Sequence, residues 1–320
     1  MKAAVYYETG SPDVLRYEEV ADPVVHAGGV VIEVEAISIE GGDTLNRLGG
    51  LMPSTPHIVG YQCGGTIREV GPGVTDREVG QRVVCATPSG SHAELVAVPA
   101  GGTWAVPPSL DMVEAACVPI AFGTADDCLF EFGRLQPGES VLVHAGAGGV
   151  GLAAIQLAKR AGATVLATAS SQDKLDRLLA FGLDHGINYR DEDFAEAVRR
   201  LTDGRGVDLV VDSVGSTLPG SMRSLAYRGR ISYVGNAGRE ATAADVSSLM
   251  QGNQSITGVF LGAELIMGGR AHANIARLLG DVASGALRVV VDRRFALAEA
   301  ADAHRYMEDR HAFGRVVLVP

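Results

Sequence analysis

The chain has 320 residues, 47% of them hydrophobic, with 38 acidic against 27 basic side chains and a formal net charge of -11. That length exceeds what one hydrophobic core usually organises, so two domains are expected. The charge disfavours nucleic-acid backbones and anionic lipid as partners, and no purely apolar run reaches the roughly eighteen residues needed to span a bilayer.

From Met1 to about Val98 the pattern is short alternating or β-branched runs such as Gly29-Val30-Val31-Ile32-Glu33-Val34-Glu35-Ala36, punctuated by Gly, Pro and Asp. This portion reads as mainly β. The opening Met1-Lys2-Ala3-Ala4-Val5-Tyr6-Tyr7 goes straight into alternation and carries no secretory leader, so a cytoplasmic location is expected. Four cysteines, Cys63, Cys85, Cys117 and Cys128, form no Cys-x-x-Cys pair and read as reduced core residues. After Pro107-Pro108-Ser109 the segment from Asp111 to Thr124 has apolar residues at helical spacing and leads into a charged helix ending near Gly133.

A new rhythm then begins. Strand Val141-Leu142-Val143 is followed by a Gly-rich turn, a helix from about Val150 to Ala161, and strand Thr164 to Ala169. A helix from about Gln172 to Phe181, strand Gly186 to Tyr189, helix Phe194 to Leu201, strand Asp208 to Asp212 and strand Arg230 to Val234 continue the alternation to about Phe260. Alternating strands and helices imply a parallel sheet covered on both faces. The tail is mixed, with a helix around Asn274 to Ser284, strand Val289-Val290-Val291, helix Ala298 to Glu308 and strand Arg315 to Val319. It is too short for a domain and is expected to pack on the amino-terminal β portion. The expectation is therefore an α/β protein in which a Rossmann doubly wound parallel sheet, residues 121–261, is inserted into a mainly β domain of residues 1–120 and 262–320.

The turn His144-Ala145-Gly146-Ala147-Gly148-Gly149-Val150-Gly151 contains G-x-G-x-x-G as Gly146, Gly148 and Gly151. It lies directly after a strand and before a helix. There the first glycine permits a tight turn, the second lets backbone amides approach a pyrophosphate and the third packs helix on strand. His144 beside it reads as a buried, hydrogen-bonded residue. An NAD site would place an acid at the tip of the next strand; here Ser170-Ser171 stand there and Lys174 follows. Two hydroxyls and an ammonium suit a 2′-phosphate, with Tyr189 able to add a phenol if the strands adjoin, so NADPH is the expected cofactor.

With those features the chain resembles the medium-chain dehydrogenase/reductase superfamily over nearly its whole length, and within it the zinc-free NADPH:quinone oxidoreductase (zeta-crystallin-like) branch. The strings carrying the resemblance are Met1-Lys2-Ala3-Ala4-Val5, Gly71-Pro72-Gly73-Val74-Thr75 through Val79-Gly80-Gln81-Arg82-Val83-Val84, the Gly-rich turn, Ala300-Ala301-Asp302-Ala303-His304, and Gly314-Arg315-Val316-Val317-Leu318. It implies a GroES-like catalytic domain around the Rossmann insert. It also implies that Thr124, Asn236 and the Phe260-Leu261 pair border the nicotinamide, and that Arg315 stands where a Lys commonly meets the cofactor.

Where zinc relatives place a Cys and a Gly-His-Glu motif, this chain reads Ser38-Ile39-Glu40 and Gly60-Tyr61-Gln62, so no metal is expected. Relatives of the quinone reductase type carry an Asn before Asp-Thr-Tyr; here Glu40 replaces the Asn and Leu45 the Tyr. Tyr61, at a zinc-ligand position by resemblance, is the candidate proton donor, with plain packing as its other reading. Glu40 is either a proton donor or a partner of Arg47.

The resemblance implies hydride transfer from NADPH to a quinone or α,β-unsaturated carbonyl, by a homodimer that pairs through the strand near Thr257 to Leu261. Two alternatives stay open, an enoyl-thioester reductase of a biosynthetic pathway and a non-catalytic NADPH-binding structural or sensor protein.

Overall fold

A computed structural model describes residues 1–240 and 243–320. Two compact units emerge, Met1–Ala121 together with Glu264–Pro320, and Phe122–Ala263.

The first unit opens with strands β1 (Lys2–Tyr6), β2 (Arg16–Glu19) and β3 (Gly29–Ser38), then helix α1 (Gly41–Gly49). Strands β4 (His57–Ile58), β5 (Gln62–Val70), β6 (Arg82–Ala86), β7 (Leu95–Pro99) and β8 (Thr103–Ala105) follow, then helix α2 (Met112–Ala116) and helix α3 (Pro119–Asp126), whose residues from Phe122 on belong to the second unit. The apolar stretch from Asp111 to Thr124 is thus two helices. Asp111 caps the first by accepting from the backbone N–H groups of Val113 (3.0 Å) and Glu114 (3.4 Å). Pro119, which has no N–H to continue a helix, starts the second.

The second unit follows as β9 (Ser140–Val143), α4 (Gly149–Arg160), β10 (Thr164–Ala169), α5 (Gln172–Leu179), β11 (His185–Asn188) and α6 (Phe194–Leu201). It is completed by β12 (Val207–Asp212), α7 (Leu218–Arg223), β13 (Leu225–Tyr233) and β14 (Ser255–Gly258). Its six strands lie in the order β11-β10-β9-β12-β13-β14, every pairing parallel. Numbered within the unit this is 3-2-1-4-5-6, the doubly wound order in which ligands bind at the carboxyl ends of the strands. The central strands are apolar runs because both faces are covered; Val141, Leu142, Val143, Leu209 and Val210 are fully buried.

The chain then returns through α8 (Leu261–Met267), α9 (Arg270–Ala283), β15 (Val291–Ala296), α10 (Ala300–Glu308) and β16 (Arg315–Val319). The first unit holds a three-stranded sheet, β2-β1-β4, and a seven-stranded one, β15-β16-β3-β5-β6-β8, with β7 also on β3. Pairing of Val317 with Ser38 and of Leu318 with Ile37 returns the tail to the amino-terminal strands. Its core includes Ile32, Ile37, Ile39, Ile67 and Leu318, each contributing about 1.5–3 kcal/mol by burial.

The expected strand Val289–Val291 is displaced: β15 starts at Val291 and runs through Asp292-Arg293-Arg294-Phe295-Ala296. Its ladder is fixed by β16, with Val291 opposite Arg315. As an edge strand, β15 carries charge where the sequence pattern called for apolar residues. Among the described residues no helix is long and apolar enough to cross a membrane.

Candidate functional site

In the second unit, β9 delivers the chain into the glycine turn, and hydrogen bonds to both neighbouring strands fix the turn. His144 N–H donates to Val211 O (3.1 Å) and Gly146 N–H to Thr168 O (2.9 Å). A Cβ on Gly151 would lie 2.3 Å from Ala145 O and 2.8 Å from Gly146 Cα, so only glycine lets α4 pack against the turn. On Gly148 the nearest atom would be Ala145 O at 3.3 Å, leaving that side approachable. Gly148 is the N-cap and supplies no side-chain cap, and Gly148, Gly149 and Val150 are partly exposed. The amides at the positive end of a 12-residue helix are therefore presented to an anion.

Ser170 and Lys174 are half-buried at the tip of β10 and the start of α5. The Ser171 hydroxyl accepts from Lys174 N–H (3.4 Å), which makes it the cap of α5. Tyr189 N–H donates to Ala169 O (3.3 Å), so the strand leading to Tyr189 adjoins β10, and Tyr189 is 39% exposed. Asn236 follows β13, and Phe260 and Leu261 follow β14, on the same carboxyl edge of the sheet. Phe260 is exposed, whereas Leu261 is buried at the start of α8. Thr124 is buried on α3.

Beneath the turn runs a polar chain that the sequence reading did not assemble. Asp212, fully buried, accepts from the N–H groups of Val214 (3.1 Å) and Gly215 (3.0 Å) and the hydroxyls of Thr217 (2.7 Å) and Ser221 (2.7 Å). Because the Ser221 proton goes to Asp212, its oxygen accepts from His144 Nε2 (3.0 Å), and His144 Nδ1 then accepts from Thr168 Oγ1 (3.1 Å). Thr168 Oγ1 in turn accepts from Ala145 N–H (3.3 Å), inside the glycine turn. Burial holds His144 below its usual range against the pull of Asp212. Burial opposes ionisation of Asp212, yet the Gly215 N–H and the Thr217 and Ser221 hydroxyls that it accepts from hold its carboxyl below the usual value. The signal in sequence was an acid closing an apolar strand with Thr and Ser five and nine residues on.

In the first unit, Glu40 and Arg315 form a buried ion pair, each 6% exposed. Arg315 Nη1 donates to Glu40 Oε2 (3.2 Å) and Nη2 to Glu40 Oε1, while Nε and Nη2 donate to Ser38 Oγ (3.0 and 2.7 Å) and Nη2 to Ile39 O (2.9 Å). The pairing of Glu40 with Arg47 is thereby corrected. Glu40 is the N-cap of α1, and Arg47, seven residues on at about 1.5 Å rise per residue, lies at the far end, where Nη2 meets Glu308. Arg315 directs its guanidinium to Glu40, Ser38 and Ile39. Gln62 Nε2 donates to Glu40 Oε1, and Gln62 Oε1 accepts from Ile120 N–H (2.9 Å). Burial raises the Glu40 carboxyl above its usual range, opposed by Arg315.

Tyr61 is half-buried, and its Oη accepts from Asn46 Nδ2 (2.7 Å) on α1. Burial, and then the nearby Asp43, push the phenol up to about 12. Its ring lies over Gly42, where a Cβ would fall 2.4 Å from Cε2. Asp43 is fully buried, accepts from Glu40 N–H (2.8 Å), and is pushed well above the carboxylate range by burial.

Comparison with known proteins matches residues 26–108 to the alcohol dehydrogenase GroES-like domain and residues 149–277 to the zinc-binding dehydrogenase family. A 2-haloacrylate reductase of a Burkholderia species is 36% identical over 99% of this chain and 98% of its own length. The chain belongs to the medium-chain dehydrogenase/reductase superfamily. Among solved structures of this superfamily, a mycobacterial protein complexed with NADPH matches with TM-score 0.95 and 36% identity over the whole of both chains. Escherichia coli quinone oxidoreductase complexed with NADPH matches with TM-score 0.94 and 30% identity, again over the whole of both. The GroES-like and Rossmann portions expected from the sequence are thus family features.

Proposed function

We propose that this chain is an NADPH-dependent, zinc-independent reductase of conjugated carbonyl compounds, a quinone or an α,β-unsaturated acid, ketone or ester. The observation that carries the reading is the nucleotide edge of the second unit: uncapped helix amides at an open Gly148, with Ser170-Ser171 instead of an acid directly after β10, Lys174 in the first turn of α5 and Tyr189 directly after the adjoining β11. Gly146, Gly148, Gly149, Val150 and Gly151 would cradle the pyrophosphate, and Ser170, Ser171, Lys174 and Tyr189 the 2′-phosphate. Thr124, Asn236, Phe260 and Leu261 are assigned to the nicotinamide end. NADPH bound there supplies the hydride.

The rest of the reaction is a proton. Because Tyr61 Oη accepts from Asn46, its own hydrogen is free to be donated to the oxygen or carbon that becomes anionic as hydride is added. A phenol near 12 stays protonated throughout the neutral range and is a donor there, not a base. Glu40 is not the acid in this reading, since its carboxylate is committed to Arg315 and Gln62. That commitment also supports the zinc-independent assignment. β14 is the last strand of its sheet, and pairing of that edge with a second copy is the assembly proposed.

The test is NADPH oxidation followed by nicotinamide absorbance with a quinone, an enone, a 2-haloacrylate and an enoyl thioester in parallel. Turnover of the quinone, enone or haloacrylate, with NADH much poorer, is expected. Turnover of the thioester alone transfers the reading to a biosynthetic enoyl reductase, and NADPH binding without any turnover overturns it.

A further inference from the structure

Tyr61 and Asn46 must meet for the phenol to be held with its hydrogen outward, yet they sit on different elements. Asn46 is on α1, which starts after its N-cap Glu40, and Tyr61 immediately precedes β5, whose first residue is Gln62. One side chain ties those two starts together. Gln62 is fully buried, and its amide is used at both ends: Nε2 donates to the Glu40 carboxylate and Oε1 accepts from Ile120 N–H (2.9 Å). Ile120 lies in the first turn of α3, where a backbone N–H has no partner within the helix. Glu40 is in turn immobilised by Arg315 and, through its own N–H, by Asp43.

We propose that Gln62 is a positioning residue for the proton donor. Resting on the reductase reading above, it locks the segment carrying Tyr61 to the N-terminus of the helix that carries Asn46 and Gly42. The amide suits this place because it must both donate and accept. A carboxylate could only accept, and would set a second negative charge against Glu40. A thioether of similar length cannot donate and accepts only weakly.

The experiment compares Gln62→Met, Gln62→Glu and Tyr61→Phe with the wild type, measuring kcat, the KM for NADPH, thermal unfolding and the pH dependence of kcat. Gln62→Met is expected to lower kcat at least about tenfold while the KM for NADPH stays within about threefold, since the cofactor is held by other residues. Gln62→Glu retains an acceptor for Ile120 N–H. At acid pH one proton shared with Glu40 restores the missing donor, so its activity relative to wild type is highest there and falls as pH rises. Should Gln62→Met fail to fold, the Gln62→Glu profile decides alone. A Gln62→Glu profile parallel to that of wild type, or a folded Gln62→Met with unchanged kcat, overturns the proposal while leaving the reductase reading intact. Unchanged kcat in Tyr61→Phe overturns the proton-donor reading and this proposal with it.

Discussion

Replacing Arg315 with Met strands the Glu40 carboxylate in an interior where its remaining side-chain donor is Gln62. The lost guanidinium makes five hydrogen bonds, two to Glu40, two to Ser38 and one to Ile39 O. Breaking one side of a buried pair costs about 3–5 kcal/mol, against a typical stability of ~5–15 kcal/mol. The cost depends on pH with a definite sign. Burial already raises the folded Glu40 carboxyl, and loss of Arg315 raises it further. Stability tied to such a group is present below its unfolded pKa and lost as pH rises through the folded value. The penalty should therefore be smaller at about pH 5 than at about pH 8.

Urea unfolding followed by the single tryptophan, Trp104, reports this unit directly, since that ring is buried and stacked 5.1 Å from His272. Glu40→Met with Arg315→Met removes both charges and should recover most of the loss. An Arg315→Met cost below about 1 kcal/mol, or one that does not change with pH, would refute the reasoning.

Other expectations concern the nucleotide edge and the donor. Gly151→Ala places a Cβ 2.3 Å from a backbone oxygen that cannot rotate away, so NADPH affinity, measured by fluorescence titration, should fall at least about tenfold and stability by about 1–3 kcal/mol. Lys174→Ala, or Ser170→Asp, should cut the preference for NADPH over NADH at least about tenfold, seen as the ratio of kcat/KM values, because one removes a charge from the phosphate and the other adds a repelling one. Tyr61→Phe should lower kcat by about two orders of magnitude with unchanged NADPH affinity. With its phenol near 12, the wild-type rate should show no decline owed to Tyr61 across the neutral range, declining only towards that alkaline value. Sedimentation should give a dimer, and a monomer would remove β14 as an assembly edge.

What was legible in the sequence was local. The strand, glycine turn and helix from Val141 to Ala161 could be read because each role depends on residues a few positions apart. The alternation that follows reveals the Rossmann portion for the same reason, and the apolar terminal strand indicates a return to the first unit. The site of the first unit could not be read that way. Glu40 and Arg315 are 275 residues apart, and Gln62 reaches Ile120 across 58. Only the pairing of β16 on β3 brings Ser38 and Arg315 together, so a charge that could be named could not be partnered. His144 was legible as a buried, hydrogen-bonded residue, but the path from Ala145 through Thr168, His144 and Ser221 to Asp212 needs three parallel strands side by side. β15 was misplaced because its edge position tolerates Asp292, Arg293 and Arg294 in a strand, and of the expected apolar triplet only Val291 joins the ladder.

The central claim, hydride from NADPH and a proton from the protein to a conjugated acceptor, is tested most directly by isotope placement. NADPH carrying deuterium at the donating nicotinamide carbon is incubated with the enzyme and an enone or 2-haloacrylate, and the product is examined by mass spectrometry and NMR. The account predicts one deuterium at the β-carbon from the cofactor and, in deuterated water, one at the α-carbon from solvent by way of Tyr61. A reduced product without deuterium from the cofactor would contradict it.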